Sequence, residues 1–160
     1  ERLEKTESSS FSCDLRKWGD IMESYENGGH AYHATMPTDS LRRFRDIMKE
    51  TEEYGFEKVR AEQQELGDKV REMLVAKGIK SVAGDGFQAP GVVVSYTDDK
   101  GIQTGKKFAE LGFQIAAGVP LQCDEPEDYQ SFRLGLFGLD KLHNIGRTVE
   151  KLEKALAAIY

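Results

Sequence analysis

The segment Phe132-Arg133-Leu134-Gly135-Leu136-Phe137-Gly138 decides the fold of the second half of this chain. Its apolar residues alternate, which predicts a β-strand with Phe132, Leu134 and Leu136 on the buried face. Arg133 then lies in the middle of the opposite face. A guanidinium in an otherwise apolar strand must meet water, an acidic side chain or a carboxylate ligand. The segment therefore predicts both a strand and a candidate binding residue.

The sequence around this segment alternates between strand and helix patterns. The residues from Gly91 to Thr97 are rich in β-branched side chains and predict a second strand. Two shorter candidate strands lie at 79–83 and 113–117, and two predicted helices lie at 102–111 and 145–159. Asn144 is a suitable N-cap for the last of these helices. A small sheet covered by helices on one face satisfies this order.

The first half of the chain has helical periodicity. The stretch from Leu15 to Tyr25 predicts a short amphipathic helix that ends at Asn27-Gly28-Gly29. A longer helical segment follows Pro37, and its apolar positions form two stripes separated by Gly55: Leu41, Phe44, Ile47 and Met48, then Val59, Leu66, Val70, Met73 and Leu74. Gly55 predicts a break or bend, and Gly78 ends the second stretch. Such a helix pair is typical of a connector between domains.

Composition limits the classes of function. The chain has 160 residues, of which 39% are hydrophobic and 31% charged, and a formal charge of -6. This charge argues against nucleic acid or an anionic membrane as the main partner. Cys13 and Cys123 have no metal-ligand spacing, and no leader or long apolar run occurs, so a cytoplasmic protein with reduced thiols is expected. The charged, serine-rich start at Glu1 indicates a mobile segment or a cut end.

Two groups of residues carry candidate chemistry, because common catalytic motifs such as the P-loop are absent. In the first group, Tyr32 and Thr35 offer two hydroxyl donors just ahead of a helix start, which suits an anion. The alternative is that Thr35 or Thr38 caps the helix and Tyr32 packs. The sequence alone favours the capping interpretation, because helix caps are commoner than anion-binding sites.

Arg133 is the second candidate. Arginine forms paired hydrogen bonds with carboxylates, so a strand arginine suits the anchoring of an α-carboxylate. The alternative is an arginine on the open face of a sheet, paired with Asp124 or Glu125. The choice between them depends on burial, which the sequence does not give.

These tracts together resemble class V aminotransferases of the alanine–glyoxylate and serine–glyoxylate type. The tract Tyr32-His33-Ala34-Thr35-Met36-Pro37 is similar to the family's YHxT segment, and the tract from Phe132 to Gly138 is similar to its LRIGLxG strand. The order and separation of the two tracts also match. The resemblance implies the C-terminal domain of fold-type I pyridoxal-phosphate enzymes. That domain is an α/β structure in which a small, mostly antiparallel sheet follows a long linking helix.

The resemblance also implies roles for particular residues. Tyr32 and Thr35 are expected to bind the phosphate of pyridoxal 5'-phosphate across the interface of a homodimer with shared active sites. Arg133 is expected to bind the substrate carboxylate. Ala34 stands where the family often has a second histidine, which leaves the two hydroxyl positions intact. No role is assigned to His33.

The lysine that holds the cofactor in this family has no counterpart here and is expected upstream of Glu1. Residues 1–40 would then be the tail of the large cofactor-binding domain, and 41–160 the linking helix and small domain. The implied reaction moves an amino group from alanine or serine to a 2-oxo acid such as glyoxylate or pyruvate. The alternatives are a class V desulfurase or lyase, or a non-enzymatic protein-interaction module that uses the stripes between Leu41 and Leu74.

Overall fold

The computed structural model describes residues 2–160, which form two compact units, one up to Asp46 and one from Ile47 to Tyr160. In the first unit, a short 3-10 helix at Leu3–Lys5 precedes α1, Leu15–Glu26. The Asp14 side chain caps α1 by accepting a hydrogen bond from the Lys17 amide at 3.1 Å. Gly28, with φ of 79°, follows the helix. The predicted helix and its glycine-rich end are confirmed.

The long helical segment consists of α2, Thr38–Tyr54, and α3, Phe56–Ala76. They are separated by Gly55, whose φ of 100° disfavours residues with a Cβ atom. The predicted break is therefore confirmed. The two apolar stripes differ in burial: α3 buries Leu66, Val70 and Leu74, whereas no residue of α2 is buried.

The sheet lies in the second unit and, within residues 2–160, has three antiparallel strands, of which the last along the chain lies between the other two. The strands are β1, Val92–Tyr96; β2, Ala116–Ala117; and β3, Ser131–Gly135. The register places Arg133 of β3 between Val94 and Ala116. The strand expected at 79–83 is only a single bridge between Ser81 and Ser95, and the strand expected at 113–117 keeps two residues.

The helix expected at 102–111 is instead two short helices, α4, Lys100–Gln103, and α5, Lys106–Glu110. Gly105 lies between them in the left-handed conformation, with φ of 78°. A left-handed residue interrupts the helical hydrogen-bond ladder, so one continuous helix is excluded. The prediction of a single helix was wrong because the helical spacing of apolar residues continues across Gly105, where the backbone turns.

Helices cover the apolar face of the sheet. After β3 the chain forms α6, Leu139–Leu142, and α7, Ile145–Ile159. The Asn144 side chain accepts a hydrogen bond from the Arg147 amide at 2.9 Å, so the predicted N-cap of α7 is confirmed. The core brings together residues of α3, the strands and the later helices: Leu66, Val70, Leu74, Val93, Ile102, Phe108, Phe132, Leu134, Leu142, Leu152 and Leu156. Arg133 therefore lies on the face that the core leaves open.

No helix within residues 2–160 combines the length and the apolarity that crossing a lipid bilayer requires.

Candidate functional site

Tyr32 and Thr35 form a hydroxyl pair in the segment between α1 and α2. The Tyr32 hydroxyl lies 3.3 Å from the Thr35 Oγ1 atom, within hydrogen-bonding distance. The Tyr32 side chain is 80% exposed, so the alternative in which it packs is wrong. Within residues 2–160, the Thr35 hydroxyl makes no bond to the backbone of α2, which begins at Thr38. Two hydroxyl groups are thus held together and face solvent, as an anion-binding pair requires.

His33, between these two residues, lies in an aromatic cluster with residues near the start of α1. Its ring centroid is 4.2 Å from that of Phe11 and 5.0 Å from that of Trp18. Its Nε2 atom is 3.3 Å from the Phe11 carbonyl oxygen, and since a carbonyl only accepts, Nε2 carries the proton and donates. Sequence reasoning gave His33 no role, because Phe11 is 22 residues away and no local pattern links the two.

Arg133 lies on the open face of the sheet, half-buried between its strand neighbours. Its Nε atom donates to the Ala117 carbonyl oxygen at 2.9 Å, which fixes the plane of the guanidinium. No carboxylate in residues 2–160 lies within ion-pair distance of Arg133, and its terminal nitrogens have no acceptor there. The arginine is therefore oriented by the protein but not neutralised by it.

Within residues 2–160, neither of the two acidic residues considered as partners, Asp124 and Glu125, forms an ion pair with Arg133. The Glu125 carboxylate accepts hydrogen bonds from the amides of Leu121, Gln122 and Cys123 at 2.6, 2.9 and 2.8 Å. These backbone hydrogen bonds, above all that of Cys123, lower the pKa of Glu125 to about 2. The pairing of Arg133 with Asp124 or Glu125 is therefore wrong. Glu125 instead stabilises the loop between β2 and β3.

The surroundings of Arg133 suit a small carboxylate. Val94 and Ala116 are its neighbours across the two strands, and Gly135, two residues along β3, is exposed and has no side chain. A guanidinium with free terminal nitrogens can hold both oxygens of a carboxylate in one plane. The residues from 2 to 160 contain no group of three His, Cys, Asp or Glu side chains placed to hold a metal ion.

Comparison with solved structures identifies the fold. Alanine–glyoxylate aminotransferase from Nostoc sp. is similar to 94% of this chain with a TM-score of 0.72 and 17% sequence identity. This chain has the fold of a C-terminal portion of a pyridoxal-phosphate aminotransferase. Ureidoglycine–glyoxylate aminotransferase from Bacillus subtilis is similar over the same share, with a TM-score of 0.61 and 20% identity.

The aminotransferase fold confirms the fold class expected from the sequence, a small antiparallel sheet with helices on one face. The chain spans 39% of the Nostoc structure and 38% of the Bacillus structure. No family model matches the sequence, and no curated protein does. At identities of 17% and 20% the likeness establishes the fold, and the reaction has to be argued from the residues.

Proposed function

We propose that this chain is part of a class V aminotransferase that depends on pyridoxal 5'-phosphate. Residues 1–40 would be the tail of the cofactor-binding domain, and 41–160 the linking helix and the small domain. The lysine that holds the cofactor would come from the rest of the protein. The observation that carries the proposal is an oriented, unneutralised Arg133 on the open sheet face of a chain with this fold.

Arg133 would bind the α-carboxylate of the substrate. Its Nε atom is already used by the Ala117 carbonyl group, so the two terminal nitrogens are left to meet the two carboxylate oxygens end-on. This contact fixes the amino acid in one orientation and so lowers the entropic part of the barrier. The same contact accepts a 2-oxo acid, because its carboxylate is identical. Alanine or serine as donor and glyoxylate or pyruvate as acceptor fit this proposal.

Tyr32 and Thr35 would bind the phosphate group of the cofactor. Their hydroxyls are exposed and 3.3 Å apart, within hydrogen-bonding distance of each other. A bound phosphate would replace this mutual hydrogen bond, so that both hydroxyls donate to its oxygens. When bound, the cofactor supplies the electron sink that stabilises negative charge at the substrate Cα atom. In this proposal the pair faces the cofactor of a second copy, so the enzyme is a homodimer with shared active sites.

One observation favours a second candidate, a protein-interaction module. Helix α2 exposes four apolar side chains at helical spacing, namely Leu41, Phe44, Ile47 and Met48. Exposed apolar stripes of this kind usually meet another protein surface. The module requires no cofactor, so cofactor binding separates the two functions. A desulfurase or lyase would also bind the substrate carboxylate through Arg133, and it would differ from an aminotransferase in its products.

The first experiment is an absorption spectrum of the complete protein from its full reading frame, before and after adding L-alanine. We expect a yellow cofactor band that bleaches as pyruvate forms in equal amount. Arg133→Leu should retain the band and bleach only at much higher alanine, whereas Arg147→Leu, an exposed arginine on α7, should behave as the wild type. A colourless protein that ignores added pyridoxal phosphate would refute the proposal and leave the interaction module. If L-alanine leaves the band unchanged, the same experiment with L-cysteine and a thiol reductant tests the desulfurase, which would form alanine and sulfide. With L-serine it tests a lyase, which would form pyruvate and ammonia.

A further inference from the structure

His33 occupies a position that the proposed function does not explain. It lies between Tyr32 and Thr35 in sequence, yet its ring is directed to Phe11 and Trp18 and not to their hydroxyls. Both partners come from the segment at the start of α1, well upstream in the chain. His33 therefore connects the hydroxyl pair to a different part of the first unit.

The cluster that holds His33 is itself well anchored. The Trp18 indole nitrogen donates to the Ser12 carbonyl oxygen at 3.1 Å, which fixes the indole against the turn before α1. That turn is closed by a hydrogen bond from the Cys13 amide to the Ser10 hydroxyl at 3.2 Å. The Phe11 carbonyl group, which accepts from His33, belongs to the same turn. The His33 imidazole thus contacts the Phe11 and Trp18 rings and forms one hydrogen bond to the turn before α1. That turn is itself stabilised by a hydrogen bond.

The Tyr32 side chain makes few contacts that fix its position. Its side chain is 80% exposed, and its one side-chain hydrogen bond within residues 2–160 is to Thr35. The position of its hydroxyl is therefore set by the backbone around His33. If this backbone were free, the binding of a ligand would have to order it, and the affinity for that ligand would fall.

We propose that His33 is a positioning residue, which holds the Tyr32 and Thr35 hydroxyls in the arrangement that receives a phosphate monoester. The inference rests on the proposed function, because it assigns the phosphate of the cofactor to this hydroxyl pair. His33 itself does not touch the ligand. Loss of its ring contacts frees the backbone on both sides and weakens phosphate binding alone.

The test compares pyridoxal phosphate with pyridoxal, which lacks the phosphate group, in titrations of the complete protein. His33→Leu should bind pyridoxal phosphate about tenfold more weakly, the factor that corresponds to one freed backbone residue. Its affinity for pyridoxal should be unchanged. His33→Phe retains a ring against Phe11 and Trp18 and should recover most of the loss. His30→Leu, an exposed histidine outside the cluster, is the matched control.

A double variant tests whether His33 acts through the hydroxyl pair. The loss of affinity in Tyr32→Phe/His33→Leu should be smaller than the sum of the losses in the two single variants, because the contact from the Tyr32 hydroxyl can be lost only once. Equal losses for pyridoxal and pyridoxal phosphate in His33→Leu, or strictly additive losses in the double variant, would overturn the inference. Different results would refute the proposed function. These are a wild type that does not bind pyridoxal phosphate more tightly than pyridoxal, or a Tyr32→Phe variant whose affinity for pyridoxal phosphate is unchanged.

Discussion

Gly118 lies in the loop after β2, where its backbone packs closely against Ser131 of strand β3. A Cβ atom built at this position would lie 1.8 Å from the Ser131 carbonyl oxygen and 2.4 Å from its carbonyl carbon. Ordinary van der Waals contact begins at 3.4 Å, so the approach is about 1.6 Å too short. The obstacle is backbone in a buried residue, and it cannot rotate away. We expect Gly118→Ala to separate the loop from β3.

The free-energy cost of Gly118→Ala can be estimated from two hydrogen bonds next to the contact between Gly118 and Ser131. The Gly118 amide donates to the Gln103 carbonyl oxygen at 3.2 Å, and the neighbouring Ala117 carbonyl group accepts from Arg133. A neutral hydrogen bond contributes about 0.5–1.5 kcal/mol and one to a charged group about 1.5–3 kcal/mol. The two hydrogen bonds together contribute about 2–4.5 kcal/mol, and the middle of this range together with the weakened pairing of β2 gives a loss of about 3–4 kcal/mol. The open state of this region should become roughly 10²- to 10³-fold more populated.

Hydrogen exchange on the complete protein measures this cost, because it reports local opening without two-state unfolding. Amides of β2 and β3 should exchange faster in Gly118→Ala by the factor given above. Gly91→Ala is the matched control: its Cβ would meet the Phe137 ring at 2.3 Å, but that ring is 63% exposed and can move away. If both variants exchange alike, within about threefold of the wild type, the reasoning from close contact is refuted.

Three further predictions concern single side chains. Arg133→Lys should lower kcat/KM for alanine by about 10- to 100-fold, since an ammonium group cannot bind both carboxylate oxygens in one plane; steady-state kinetics within twofold of the wild type would contradict this. Asn144→Ala should destabilise α7 by about 1 kcal/mol, because the Arg147 amide loses its cap. Faster amide exchange at the start of α7 would show the loss, and Asn144→Asp, which retains an acceptor, should not. The pKa of Glu125 is depressed to about 2 from its usual 4.5, so its stabilisation of the 121–123 loop is complete above pH 4.5 and is lost as the pH falls towards 2. NMR shifts of these amides should titrate near 2, and the titration should disappear in Glu125→Gln; a midpoint at the usual pKa would exclude the backbone contacts as its cause.

Much of the fold could be predicted from the sequence, because the relevant signals are local. The Asn144 cap, the break at Gly55 and the end of α1 depend on residue types at single positions. Strands β1 and β3 follow from β-branched composition and from alternation. The split at Gly105 was missed, since apolar periodicity continues across it and only the backbone conformation shows the turn.

The site was predictable only in part, for a different physical reason. Alternation places Arg133 on the open face, and the structure agrees. Its supposed acidic partner was not predictable, because the Glu125 carboxylate is engaged by amides of its own loop. His33 was missed because its contacts are tertiary. The binding roles of Tyr32, Thr35 and Arg133 stay predictions until ligand binding is measured.

The strand order has a consequence for synthesis on the ribosome. Strands β1 and β2 do not pair with each other, and both pair with β3, which is the last of the three to be made. A nascent chain that ends before Ser131 therefore lacks the strand with which both β1 and β2 pair. Non-local pairing of this kind forms late and slowly. Truncation before Ser131 should thus prevent the three-stranded sheet from forming, in addition to removing Arg133.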